Sequence, residues 1–231
     1  MAWRPRQKSA SMSLIELSNY TVARNELRLK NISLAISPGQ CWLVASDLRE
    51  SAGLLFAALA TLVKPETGTF RFKNALLDFS TYRQLLSCKR EIGYVSPANV
   101  LLSNRTILEN LLLSDFYDKN TLSVTLDKKT DEMCLLFHIR NRLGQKVTEA
   151  DRWDLRLAMA VRELAKDPAV LLVEWPEEVV PPDRQWMFVN LLQQALVSGT
   201  PLVIFSRDRS FCANFSASGK IVIKGERVTV S

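Results

Sequence analysis

Four short apolar runs constrain the fold of this chain more than any other feature. Cys41–Ala45, Ile92–Val95, Val170–Val173 and Leu202–Phe205 are nearly unbroken by polar residues. Runs this short and continuous fit strands buried on both faces of a parallel sheet, whose connections must be helical crossovers. Helical spacing appears where the crossovers belong. Leu54, Leu55, Ala58, Leu59 and Leu62 follow the first run. Ala150–Lys166 places Leu155, Ala158, Met159, Arg162 and Leu164 at helical intervals, and Asp167-Pro168 stops it. Asp183–Val197 reads as a further helix closed by Ser198-Gly199. The pattern predicts an α/β, doubly wound sheet.

The remaining segments add to that core. Leu14–Leu17 and Leu27–Ile36 alternate, and Thr69–Lys73 follows the turn Pro65–Gly68, which predicts an antiparallel β subdomain. Thr81–Ser87, Ile107–Leu113 and Asp131–Ile139 read as helices, the last two within a helical insertion over about 98–165. Ile221–Ile223 and Val228–Val230 form a hairpin around Gly225. Ser46–Ser51 reads as a polar, solvated loop. The expected organisation is a basic flexible tail over 1–13 and a single domain over 14–231.

Composition narrows the function classes. Of 231 residues, 47% are hydrophobic and 23% charged, which is a folded rather than a disordered composition. No run reads as transmembrane: the longest charge-free stretch, Gln185–Ser206, is interrupted by polar residues, Gly199 and Pro201. Met1–Ser13 carries Arg4, Arg6 and Lys8 without an apolar segment, so it is not a signal peptide. Cys41, Cys88, Cys134 and Cys212 are scattered and form no paired motif, as in free cytosolic thiols, and His138 stands alone, so no metal site is expected. The net charge of +6 is spread without a basic run, so a nucleic-acid partner is not expected, whereas weak attraction to an anionic membrane face fits equally well. Glycine is scarce, with 8 in the chain, and loops that wrap phosphates need it.

Six strings in order resemble the ATP-binding cassette (ABC) ATPase of transporters, over about residues 13–231. LKNISLAISPGQCWLVAS (Leu29–Ser46) is similar to the strand leading into that family's phosphate loop. LVKPETGTF (Leu62–Phe70) resembles the turn and strand after the first helix. REIGYVS (Arg90–Ser96) and LLSNRTILENLLL (Leu101–Leu113) resemble the segments flanking the glutamine loop. LRLAMAVRELAKDPAVLLVEWPEE (Leu155–Glu178) resembles the signature helix and Walker B strand, and GTPLVIFSRD (Gly199–Asp208) the strand ending at the switch histidine. The resemblance implies a P-loop NTPase-like core with a mixed sheet, an antiparallel β subdomain and a helical insertion.

The family's chemical positions are changed here. A phosphate loop of form GxxxxGK[ST] uses glycines to close backbone N–H groups on phosphate, a lysine to neutralise it and a hydroxyl to hold Mg²⁺. Ser46 and Ser51 stand at the glycines, Ala52 at the lysine and Gly53 at the hydroxyl, while Asp47, Arg49 and Glu50 leave the loop net negative by one. A like-charge pair at 4 Å costs about 4 kcal/mol at an effective dielectric of 20, enough to remove micromolar affinity for a triphosphate. Arg24 falls near the adenine-stacking position and Pro97 on the glutamine. The signature falls on Ala150–Asp154, where Asp151 and Asp154 resemble capping carboxylates beside Trp153. Glu174 stands at the Mg²⁺-linked aspartate and Trp175 at the catalytic glutamate, where an indole offers no base. Arg207 replaces the switch histidine, and Pro181 falls near the D-loop aspartate. Glu177 and Glu178 are expected to face solvent.

The resemblance therefore implies a catalytically inactive subunit, without ATP or Mg²⁺ as a cofactor and without catalytic residues. Its expected partners are the membrane permease subunit of an ABC transporter and, in addition, an active ABC ATPase or a second copy of itself. Its expected place is the cytoplasmic face of the cell membrane. LLSNRTILENL is similar to ATPases of lipid-trafficking transporters. The expected permease groove holds Val100, Leu101, Leu102 and Arg105. In a head-to-tail dimer, Trp175 is expected to face the Trp153 region of the other copy. The alternatives are a working ATPase with displaced residues and a soluble scaffolding module.

Overall fold

The computed structural model describes residues 13–113, Phe116 and 125–231. The expected basic tail lies, apart from Ser13, outside the described residues.

The described strands form one mixed sheet in the order β5-β4-β1-β2-β10-β9-β3-β8-β7-β6. Its parallel part is built from the apolar runs. β3 (Cys41–Ser46), β6 (Ile92–Val95), β7 (Val170–Glu174) and β8 (Leu202–Phe205) pair in parallel, and every residue of β7 and β8 is buried. β9 (Gly219–Lys224) continues parallel to β3 and turns back antiparallel into β10 (Arg227–Val230). The antiparallel part holds β1 (Ile15–Arg24), β2 (Leu27–Ile36), β4 (Thr67–Phe72) and the short β5 (Ala75–Leu76). β1 runs well past the expected Leu17, because register shifts beyond Leu17 let the pairing with β2 resume at Tyr20 and Val22.

Helices cover the sheet. α1 (Arg49–Leu59) and α2 (Tyr82–Arg90) precede β6. Between β6 and β7 lie α3 (Ile107–Leu111), α4 (Lys128–Leu136) and α5 (Arg152–Ala165). The short α6 (Pro176–Val179), α7 (Gln185–Val197) and α8 (Arg209–Cys212) follow β7 and β8. One core gathers the antiparallel strands and α1, and a second gathers α3, α4, α5 and α7 against the opposite side chains of β7 and β8. Among the described residues, no helix is long and apolar enough to cross a membrane, and no group of three or more His, Cys, Asp or Glu is placed to hold a metal ion.

The predicted solvated loop at Ser46–Ser51 is corrected. Helix begins at Arg49, and Ser51 and Ala52 are buried. Arg49, Glu50 and Ala52 favour helix, and the apolar run Leu54–Leu59 that packs on the core carries it through Gly53. Only Ser46–Leu48 remains a turn, closed by the Ser46 hydroxyl, which donates to the Leu48 carbonyl at 2.7 Å.

At the outer edge of the sheet, side chains cap β6 at Tyr94. The Tyr94 N–H donates to Glu163 Oε2 at 3.3 Å, and the Tyr94 carbonyl accepts from Asn99 Nδ2 at 2.6 Å. Glu163, in α5, is buried and also accepts from Lys166 Nζ at 2.6 Å and Arg162 Nε at 3.3 Å, so its charge is compensated.

Candidate functional site

At the C-terminal end of the parallel strands, four chain segments meet through side chains: the start of α1, the end of β6, the β7–α6 turn, and the end of β8. Ligands of open α/β sheets bind at this end.

Glu174 closes β7 and is buried. A buried carboxylate is tolerated only when donors replace water. Tyr94 Oη donates to Glu174 Oε2 at 2.5 Å, and Ser96 Oγ donates to the same oxygen at 2.8 Å. A Cβ added to Gly53 would stand 3.2 Å from Glu174 Oε1, so the carboxylate lies against the α1 backbone. Burial raises the Tyr94 phenol above its ordinary value, and the Glu174 charge adds to the effect. Neither Tyr94 nor Ser96 is among the residues singled out from sequence. Their signal was the two-residue period of β6, which sends both side chains to one face while its partner β7 ends at Glu174.

Trp175 has a left-handed backbone, φ 49° and ψ 57°, costly for a bulky residue. The surroundings hold it there. Its N–H donates to the Phe205 carbonyl at 2.8 Å, and its ring meets Phe205 edge-on at 5.2 Å. The Arg49 guanidinium lies over the indole at 4.3 Å from the ring centroid and that of Arg207 at 4.9 Å. The residue is only 6% exposed and its Nε1 has no partner. The expectation that Trp175 faces a second copy is therefore corrected: aromatic and cationic neighbours of its own chain enclose the indole.

Glu177 and Glu178, expected to face solvent, are half-buried and paired. Arg49 reaches Glu178 with both terminal nitrogens, Nη1 to Oε1 at 2.6 Å and Nη2 to Oε2 at 2.9 Å. This two-pronged bond holds the Glu178 carboxyl below the usual carboxylate range and raises the guanidinium. Glu177 accepts from Ser206 Oγ at 2.8 Å and from the Arg207 N–H at 3.0 Å. Pro176 starts α6, and the first turn of that helix carries both carboxylates.

The other expected positions are placed around this cluster. Pro97 offers its carbonyl to Arg156 Nη1 at 2.5 Å, and burial, then the neighbouring Arg152 charge, lowers the Arg156 pKa. Asp151 is the N-cap of α5 and accepts from the Trp153 N–H at 2.7 Å. Asp154 does not cap: its carboxylate faces Arg142 at 3.8 Å and Arg184 at 3.9 Å. Arg24 is exposed where β1 turns into β2. Val100 and Leu102 are 77% and 48% exposed, while Leu101 packs on the second core and Arg105 pairs with Glu109 at 3.0 Å. Buried Asn110 fixes this loop. Its Oδ1 accepts from the Leu102 N–H at 2.7 Å, and its Nδ2 donates to the carbonyls of Leu102 (3.1 Å) and Thr106 (2.9 Å).

No protein-family model matches the chain. Among curated proteins it is similar to the molybdate/tungstate import ATP-binding protein WtpC of Methanocaldococcus jannaschii, 20% identical over 215 residues, which cover 93% of this chain and 69% of that one. It is similar to the lipoprotein-releasing system ATP-binding protein LolD 2 of Chlorobium chlorochromatii, 27% identical over 167 residues and 68% of each chain. It is also similar to the L-cystine transport system ATP-binding protein TcyN of Escherichia coli, 22% identical over 226 residues, 93% of this chain and 90% of that one. Among solved structures, the ATP-binding cassette MJ0796, in a dimeric post-hydrolysis state bound to ADP and Pi, superposes with a TM-score of 0.78 at 18% identity over 94% of this chain and 97% of that one. The ATP-binding subunit of an ABC transporter superposes with a TM-score of 0.81 at 12% identity over 95% and 90%.

Proposed function

We propose that this chain, an ATP-binding-cassette domain by fold and by its sequence relatives, works as a docking subunit of an ABC transporter and does not hydrolyse ATP. One observation carries the reading: Arg49, in the phosphate-loop segment, is bound to Glu178 and lies on Trp175. The residues present do not fit magnesium triphosphate. The lysine position is the fully buried Ala52, the hydroxyl position is Gly53, and Glu174 already accepts from two hydroxyls. Trp175 has no basic atom with which to take a proton from water.

The partner in this reading is the membrane permease subunit, engaged at the inner face of the membrane. Val100 and Leu102 supply exposed apolar contact on a loop that Asn110 holds in shape. A preorganised loop loses little conformational freedom on docking. The LolD relatives, ATP-binding proteins of lipoprotein-releasing systems, make a lipoprotein-releasing transporter the first complex to try.

Two measurements test the proposal. Mg-ATP at a hundred times its Kd would add about 2.7 kcal/mol of stability. We expect no thermal shift at millimolar Mg-ATP and no phosphate release, and a normal turnover would return the chain to the active ATPases. Co-purification with the permease in detergent should fall at least tenfold, roughly 1.4 kcal/mol, for the Val100→Asp/Leu102→Asp chain. Equal recovery of both chains would remove the permease surface from the proposal and favour a soluble scaffold.

A further inference from the structure

The segments around Trp175 are tied by side-chain bonds between distant parts of the chain. Arg49 at the start of α1 and Glu178 in α6 are 129 residues apart, yet they share two parallel hydrogen bonds. The same guanidinium lies on Trp175, whose ring also carries Arg207 from the end of β8. Glu177 binds that β8 end again through Ser206 and the Arg207 N–H. A strained left-handed backbone at Trp175 survives only where neighbours over-determine it.

We propose that Arg49 is a built-in latch: its side chain pins the turn Ser46–Leu48 and the start of α1 to the β7–α6 turn, so that this face keeps one conformation with or without nucleotide. The inference rests on the reading that nucleotide does not occupy this site, and it adds how the chain does without one. A planar guanidinium suits the task because it makes the forked carboxylate bond and covers an aromatic face at once. An ammonium at position 49 offers neither the fork nor the flat surface. Glu178 supplies the acceptor, and Trp175 supplies the surface against which the arginine is immobilised.

Amide hydrogen exchange on the full chain, without nucleotide, tests the latch separately from ATP binding. Arg49→Ala and Glu178→Gln should each speed exchange in the segments 46–52 and 174–178 at least tenfold, while exchange in β1 and β2 stays at the parent rate. The Arg49→Ala/Glu178→Gln chain should exchange no faster than the faster single variant, because both remove one interaction. Arg49→Lys should follow Arg49→Ala. Parent-like exchange in the single variants, or effects that multiply in the double variant, would overturn the latch. Exchange in β1 and β2 rising with the rest would also overturn it, as a sign of global loosening. Nucleotide binding by the parent chain would overturn the functional reading instead.

Discussion

Thr61 and Trp175 share an unusual backbone for opposite reasons. With few glycines, the chain places nine other residues at positive φ among those described, and four of them are asparagines, which tolerate it. Thr61 is not suited to it: φ is 57°, and the buried hydroxyl has no partner. It ends α1 in a motif where the Leu62 N–H reaches the Ala57 carbonyl at 2.8 Å, a place glycine normally fills. Thr61→Gly should therefore stabilise the chain by about 1 kcal/mol, seen as a higher urea midpoint with an unchanged slope. Trp175→Gly relieves similar strain but removes a buried indole, whose truncation costs about 3 kcal/mol or more, so its midpoint should fall. A Thr61→Gly midpoint that fails to rise would refute the strain argument. Neither conformation was legible in sequence, since nothing local distinguishes Thr61 from a helical threonine. The shortage of glycine was the only hint that left-handed turns would fall to other residues.

At the scale of elements, Asn110 is the control point. It belongs to α3, which opens with a capping box in which Thr106 accepts from the Glu109 N–H at 3.1 Å and Glu109 accepts from the Thr106 N–H at 2.8 Å. Asn110→Ala keeps that helix start but leaves the Leu102 N–H without its partner, while the Leu102 carbonyl keeps only the Arg105 N–H at 3.2 Å. The expected loss is about 2 kcal/mol in urea unfolding, with faster exchange confined to residues 99–106. The strands were the most legible elements, because a buried parallel strand leaves a continuous apolar run such as Val170–Val173 or Leu202–Phe205. The start of α1 was misread because the resemblance suggested a phosphate loop, although Arg49, Glu50 and Ala52 favour helix. The candidate site was only half legible. Motif positions identified Glu174, Trp175 and Arg207, but the Arg49–Glu178 bond joins distant segments and has no local signature.

For the molecule as a whole, acid should be the sensitive side. The Arg49 fork holds Glu178 low, the Thr106 N–H and then Arg105 hold Glu109 low, and the Ser210 hydroxyl leads in lowering Asp208. A carboxyl depressed by folding contributes stability above its unfolded value, 4.5 for glutamate and 3.8 for aspartate, and loses it as pH falls through the folded value. Urea midpoints should be level down to about pH 5 and decline below pH 4, and the Arg49→Ala chain should decline less steeply. An equal acid slope in both chains would exclude Glu178 as a contributor. A different consequence follows from the flank of the sheet at β6, where Glu163 and Asn99 have already taken the outward amide and carbonyl of Tyr94. A strand whose outward pair at Tyr94 is already taken gives a neighbouring molecule less to copy, so the chain lacking both side chains should seed fibrils more readily than the parent.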